Sequence, residues 1–176
     1  MRRDPFADPK PLIRRVYAYV AYRLGDGADA EDVTSEVFER ALRYRASYDE
    51  ARGGPLPWLL GIARRCIEDA REARRRMSPA ELGDLESPSA DDLHTDVVRR
   101  LSLAEALEGL DDRARDLVAL RYGADLSARQ IGEILGLKPN AVDVALHRTL
   151  GRLRSDLEAA RGEPQATTKP APGFSP

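Results

Sequence analysis

Apolar residues recur at helical spacing through two long blocks of the chain. In the first block, Val33, Val37 and Ala41, with Phe38 beside them, make one apolar face. Further on, Leu59, Ile62, Ala63, Cys66, Ile67 and Ala70 make another. In the second block, Ile131, Ile134 and Leu135 form a short stripe, and Val142, Leu146, Leu150, Leu153 and Leu157 follow at steps of four, four, three and four. No stretch alternates apolar and polar with period two, so strands are not expected. The predicted class is all-α.

Cap chemistry sharpens the helix ends. Asp29 is placed to cap "DAEDVTSEVFERALRYR", with Asp32 in its first turn, where carboxylates suit the helix dipole. Asp111 is the expected cap of "LDDRARDLVALRY". Ala114, Leu117, Val118 and Tyr122 fall on the apolar side there, and Asp112, Arg115 and Asp116 on the other. Arg121 falls near the end on the apolar side, where its stem can pack while its charge reaches water. Ser127 and Gln130 have the spacing of a capping box, and Gly136 can stop that helix. "SARQIGEIL-GLKP-NAVDVALHR" thus reads as helix, tight turn, helix, the arrangement of a helix-turn-helix.

Gly, Pro and Ser divide the chain. Residues 1–11 form a Pro-interrupted arm expected to be disordered, and residues 12–77 a first helical domain. Residues 78–95 are acidic and rich in Ser and Pro, the composition of a flexible linker. Residues 96–160 make a second helical domain, and residues 161–176 a Pro-rich tail expected to be disordered.

Composition then removes several functions. The chain of 176 residues holds one cysteine, Cys66, so it has no internal disulfide and no cysteine-based zinc site. His94 and His147 are too far apart in sequence to form a metal site alone, and no metal or cofactor is expected. No nucleophile–base pairing or phosphate loop is visible, so the chain is not read as an enzyme. No apolar run is long enough to span a bilayer, which points to a cytoplasmic protein without membrane insertion. The net charge of −2 argues against a uniformly basic nucleic-acid binder. The charge is segregated, however: Arg64, Arg65, Arg71, Arg74, Arg75 and Arg76 crowd one helix, and local basic surface is what nucleic acid requires.

That helix belongs to the least ordinary stretch, "YDEARGGPLPWLLGIARRCIEDAREARRR". Gly53, Gly54, Pro55 and Pro57 are read as a non-helical loop, after which Trp58 opens the helix. Two readings stand for it. Bases stack on aromatic rings while cations follow phosphates, which suits unstacked nucleic acid. Alternatively Trp58 is a core anchor, and Glu68 and Glu72 hold part of the arginine charge in surface ion pairs.

"DAEDVTSEVFERAL", then "PLPWLLGIARR" with Asp69 downstream, then a helix-turn-helix in the last third, resembles the extracytoplasmic-function class of bacterial RNA polymerase sigma factors. The resemblance runs from about Leu12 to Leu157 in the expected order. It implies that Asp29, Asp32 and Glu36 contact the clamp helices of core RNA polymerase; Ser35 stands where the family often has Gln. It implies that the loop "ARGGPLPW", with Arg52 and Trp58, captures a flipped base of the minus-ten element, and that Arg64, Arg65 and Arg71 lie along the separating strands. The family commonly has Asn at position 65. The second domain would read the minus-thirty-five element through Lys138, Asn140, Asp143, His147, Arg148 and Arg152. The implied partners are core RNA polymerase, promoter DNA and an inhibitory anti-sigma factor.

One departure stands out. At Asp143, Val144 and Ala145 the family usually shows a basic residue, Ser and another basic residue. Pro139 biases Lys138 away from helix, so the helix is expected to start at Pro139 or Asn140. With Asn140 as cap, Asp143 becomes the third helical residue, facing unpaired backbone amides. The other reading of Asp143 is acceptance of a hydrogen bond from a cytosine amino group. Two other functions remain open: an autonomous operator-binding regulator using only the helix-turn-helix, and an adaptor that sequesters a sigma partner without touching DNA.

Overall fold

The computed structural model describes residues 6–77, 103 and 105–162. The expected linker at 78–95 lies outside the described residues, as do residues 1–5 of the expected arm and 163–176 of the expected tail. The described residues are helical throughout their regular structure. The first lobe comprises α1 (Pro9–Leu24), α2 (Ala28–Arg43) and α3 (Pro55–Arg76). Two short 3₁₀ turns, Arg45–Ser47 and Glu50–Arg52, join α2 to α3. The second lobe comprises α4 (Asp112–Val118), a π-helical turn (Ala119–Gly123), α5 (Ala128–Leu135) and α6 (Pro139–Gly162). No described helix is long and apolar enough to cross a membrane.

Several starts differ from the sequence expectation, and proline explains two of them. Helix α1 begins at Pro9, inside the stretch expected to be a disordered arm, and Phe6 packs against the core. Helix α3 begins at Pro55 rather than Trp58. A proline in the first helical turn loses nothing, because the first backbone N–H groups have no helical partner and the ring presets φ. Helix α2 starts one residue before Asp29, with Gly27 at the cap position, so Asp29 is a first-turn acid and not the cap. There it still faces the positive end of the dipole, and its carboxylate pairs with Arg74 at 3.1 Å.

Other ends match. The Asp111 side chain accepts from the Ala114 N–H at 2.8 Å. Ser127 and Gln130 form the full capping box, and Gly136 closes α5 in the left-handed conformation. Helix α6 begins at Pro139, with the Lys138 carbonyl accepting from Ala141 and Val142.

Each lobe buries most of the stripe its sequence carries; Leu150 of the expected α6 stripe is instead 38% exposed, and Thr149 takes the inward position beside it. Val33, Val37 and Ala41 of α2 meet Leu59, Leu60, Ala63, Cys66 and Ile67 of α3 under α1. In the second lobe Leu117, Leu120, Leu126, Ile131, Val142 and Leu146 form the centre. The hydrophobic core runs without a break from one lobe to the other, because α1 packs along the π turn. The contact is close at backbone level. A Cβ on Gly123 would stand 2.9 Å from the Ala18 carbonyl oxygen and 3.0 Å from the Tyr19 Cα, so only glycine seats the turn on α1.

The π turn also changes which side chains are inside. An unbroken α-helix would have buried Tyr122; the wider turn rotates it outward and leaves it 51% exposed. Arg121 is exposed and donates to the Leu126 carbonyl at 2.8 Å. Asp116, expected on the polar side of α4, is only 5% exposed. It is buried because that side of α4 faces the first lobe.

Candidate nucleic-acid interface

The helix-turn-helix is set by backbone proximity. A Cβ on Gly132 of α5 would stand 2.4 Å from the Leu137 carbonyl oxygen, and the Leu137 N–H donates to the Gly132 carbonyl at 2.9 Å. This contact fixes the angle at which the chain enters α6. Val142, Leu146, Thr149 and Leu153 then turn inward. Thr149 completes its hydrogen bonding within the helix, donating to the Ala145 carbonyl at 2.9 Å.

The opposite side of α6 is open. Lys138, Asn140, Asp143, His147, Arg148 and Arg152 are all exposed, as is Val144. Arg152 reaches Asp111 at 3.7 Å, a long surface pair that leaves much of its charge to solvent. Asp143 is the fifth residue from Pro139, and no acid occupies the first turn. The expected capping role, built on Asn140 as cap, therefore fails. Pro139 starts the helix one residue too early, and the Asp143 carboxylate lies beyond the free amides.

In the first lobe, Trp58 is half-buried and forms a three-ring cluster. Its ring centroid lies 5.5 Å from Tyr48 and 5.8 Å from Phe6, and Phe6 and Tyr48 are 5.6 Å apart. The rings meet tilted or edge to face, the favoured geometries for their quadrupoles. The Arg45 guanidinium lies over Phe6 at 5.6 Å, and the Tyr48 hydroxyl donates to the Gly53 carbonyl at 3.1 Å. Burial, reinforced by Glu50 and Asp49, raises the Tyr48 pKa. The cluster anchors the Gly53–Gly54 loop to the start of α3 and leaves Trp58 partly accessible. Phe6 escapes sequence reasoning because it is remote from Trp58 along the chain, and Tyr48 because the loop expected to be non-helical separates it from Trp58. The Arg52 side chain lies outside the described residues.

The arginines of α3 divide into two sets. Arg65 is exposed. Arg64 and Arg71 are half-buried and turn toward the second lobe: Arg64 pairs with Asp116 at 3.3 Å, and Arg71 pairs with Asp112 and donates to the Arg23 carbonyl at 2.9 Å. The Arg71 hydrogen bond holds the Asp112 carboxyl below its ordinary pKa. Beneath them, the Tyr19 hydroxyl donates to Asp116 at 2.5 Å, and Arg23 donates to the Asp112 carbonyl at 2.9 Å. Burial first, then the Asp116 charge, pushes the Tyr19 pKa far up. A cleft of 610 Å³ opens beside this cluster, with Glu68, Asp69 and Glu72 on its wall among the arginines. Its charges nearly balance, so it is not an anion pocket.

On α2, Asp29 and Asp32 are exposed and Glu36 is half-buried. Arg40 bridges Glu36 and Asp69, the latter at 2.8 Å. Arginines thus partly balance Asp29 and Glu36 on the outer side of α2, where Asp32 is exposed and Leu42 lies exposed beyond it.

The two lobes coincide with two family matches. Sigma-70 region 2 matches residues 10–77, and Sigma-70, region 4 matches residues 100–153. Among curated relatives, the chain is 30% identical to the ECF RNA polymerase sigma factor SigK of Mycobacterium ulcerans, over 83% of this chain and 81% of that one. It is 32% identical to the RNA polymerase sigma factor CarQ of Myxococcus xanthus, over 90% and 92%. The chain belongs to the ECF RNA polymerase sigma factors. Its fold also matches the sigma factor RpoE of Bartonella quintana, solved in complex with the anti-sigma factor NepR, with a TM-score of 0.62 at 19% identity, covering 84% of this chain and 92% of that one. CnrH, solved with the cytosolic domain of CnrY, gives 0.57 at 21% identity over 86% and 82%.

Proposed function

We propose that this sigma factor binds core RNA polymerase in the cytoplasm and carries it to a subset of promoters, where it helps to melt the minus-ten element. Asp29, Asp32 and Glu36 on the outer side of α2 contact the polymerase clamp. Trp58 and the Gly53–Gly54 loop, with Arg52, Arg64, Arg65 and Arg71, receive the opened minus-ten strand. Flipping a base costs about a few kcal/mol. The loop fixed by the three-ring cluster lowers that cost by being ordered in advance. The exposed side of α6, with Lys138, Asn140, Asp143, His147, Arg148 and Arg152, reads the minus-thirty-five element in the major groove. The chain supplies recognition, and RNA synthesis belongs to the core enzyme. An anti-sigma factor restrains it, as NepR accompanies RpoE.

The observation that supports this reading is the presence, in one chain, of an acid-bearing outer side of α2 and an exposed polar side on the second helix of a helix-turn-helix. Reconstituted run-off transcription tests it. Purified chain added to core enzyme gives transcripts of one defined length, while core alone gives none. A chain that works only with a pre-existing holoenzyme is an operator-binding regulator. A chain that binds a sigma partner and opens no promoter is an adaptor.

A further inference from the structure

The outward side of α6 is not basic along its centre. The buried Val142, Leu146, Thr149 and Leu153 fix the inward direction. At roughly 100° per residue, Asn140, Val144 and Gly151 share the line that points away from the core, and all three are exposed. Short side chains on that line let the helix backbone come near whatever it faces. At Gly151 a Cβ would meet nothing within 4 Å, so the fold gives no reason for a residue that carries an entropic cost in a helix. Arg148 and Arg152 lie on one flank of the line, and Asp143 and His147 on the other.

Asp143 and Val144 suit base edges and not phosphate. Val144 is 42% exposed and has neither donor nor acceptor in its side chain. Asp143 sits past the free amides of the first turn, and among the described residues no cation pairs with it. A phosphate repels its carboxylate. The N-terminal residues of a recognition helix meet base edges, and the major groove offers a partner for each of these two side chains. The thymine C5 methyl is the apolar group there, and the cytosine N4 amino group is a donor with no acceptor of its own base beside it. Adenine also carries an amino donor, but its neighbouring N7 acceptor repels a carboxylate. Consecutive Cα atoms are about 3.8 Å apart and stacked base pairs about 3.4 Å, so neighbouring residues can address neighbouring pairs.

We infer that Asp143 and Val144 set the promoter preference of this chain: its minus-thirty-five element carries a thymine against Val144 and, on the adjacent base pair, a cytosine whose amino group donates to Asp143. Arg148 and Arg152 hold the phosphates beside them. The inference rests on the sigma-factor reading and names the DNA that reading selects.

The test uses holoenzyme reconstituted from the full chain and core polymerase, with a pool of promoter fragments randomised across the minus-thirty-five region. Sequencing of the retained fragments shows thymine and cytosine on adjacent pairs, each favoured about tenfold over other bases. Asp143→Ala brings the cytosine preference down to about twofold and keeps the thymine; Val144→Ser does the reverse. Asp143→Asn moves the favoured base at that position from cytosine to adenine, because an amide donates to N7 while accepting from N6. A distorted helix loses a preference; it does not acquire a new one of this kind. Deoxyuridine in place of the thymine removes only the methyl group. It weakens retention by the unsubstituted chain about fivefold and leaves Val144→Ser unaffected. Retained fragments that lack the two bases, or variants that keep both preferences, overturn the inference while run-off transcription continues. Loss of retention and of run-off transcription together counts against the sigma-factor reading beneath it.

Discussion

Gly132 and Gly151 make opposite predictions for one substitution. Both are helical glycines of the second lobe. A Cβ at Gly151 meets nothing within 4 Å, whereas at Gly132 it lands 2.4 Å from the Leu137 carbonyl oxygen. Replacing a helical glycine by alanine removes backbone entropy from the unfolded chain and contributes roughly 0.5–1 kcal/mol. Gly151→Ala should gain that amount. At Gly132 the carbonyl must retreat by more than half an ångström from a turn held by the Leu137 N–H on the Gly132 carbonyl, and overpacking of this kind costs about 1–3 kcal/mol. The retreating group is backbone, so the upper part of that range applies, and Gly132→Ala should lose about 2 kcal/mol after the helical gain. The two variants then differ by roughly 3 kcal/mol, about two orders of magnitude in the unfolding constant. Urea denaturation followed by far-UV circular dichroism measures this through the midpoint, with the slope m checked for constancy. A Gly132→Ala midpoint equal to or above that of Gly151→Ala would refute the claim that backbone contact sets the turn.

Trp58→Ala should reduce open-complex formation more than initial duplex binding, and unchanged permanganate reactivity at thymines of the melted region would count against it. Arg148→Ala should weaken binding to minus-thirty-five duplex and flatten its salt dependence, since each lost phosphate contact releases fewer counterions. Asp143→Ala, by contrast, should relax base preference at one position while leaving thermal stability within about 0.5 kcal/mol. If stability falls and preference holds, the carboxylate is structural after all. The lobe contact should also depend on pH at both extremes. Asp112 has a depressed pKa, chiefly through Arg71, with Arg23 and Arg115 adding to it, so its contribution is present above the unfolded value of 3.8 and lost as pH falls through the lower folded value. Tyr19 has a raised pKa, so its contribution is present below its ordinary value of 10.0 and disappears only in stronger base. The inter-lobe distance should therefore be constant near neutrality and lengthen in strong acid.

Local features of the fold were legible in the sequence because their causes are local. The Ser127–Gln130 box, the Gly136 stop and the buried Val142, Leu146 and Leu153 each rest on residues within a few turns of one another, whereas Leu150 of the same expected stripe is exposed. The lobe contact was not legible. Tyr19 meets Asp116 across 97 positions and Arg71 meets Asp112 across 41, and nothing near Asp112 or Asp116 distinguishes them from solvated helix acids. The π turn hides for a related reason: Ala119–Gly123 continues the helical apolar pattern, and only the approach of Gly123 to α1 shows why the helix widens there. The aromatic cluster fell between these cases. Trp58 was conspicuous, but the rings that fix it come from the segments before α1 and after α2. Sequence alone could place the arginines on one helix; it could not show that two of them already have partners.

The division of labour along α6 has an evolutionary consequence. The inward positions Val142, Leu146, Thr149 and Leu153 and the backbone contact at Gly132 hold α6 in place, while Asp143, Val144, His147 and Arg148 are exposed. Exposed positions of this kind tolerate exchange within about 0.5 kcal/mol. On the proposed reading of α6, this exposed side is in effect an interchangeable cassette: its letters can be rewritten, and the set of target promoters redirected, while the scaffold beneath keeps its stability.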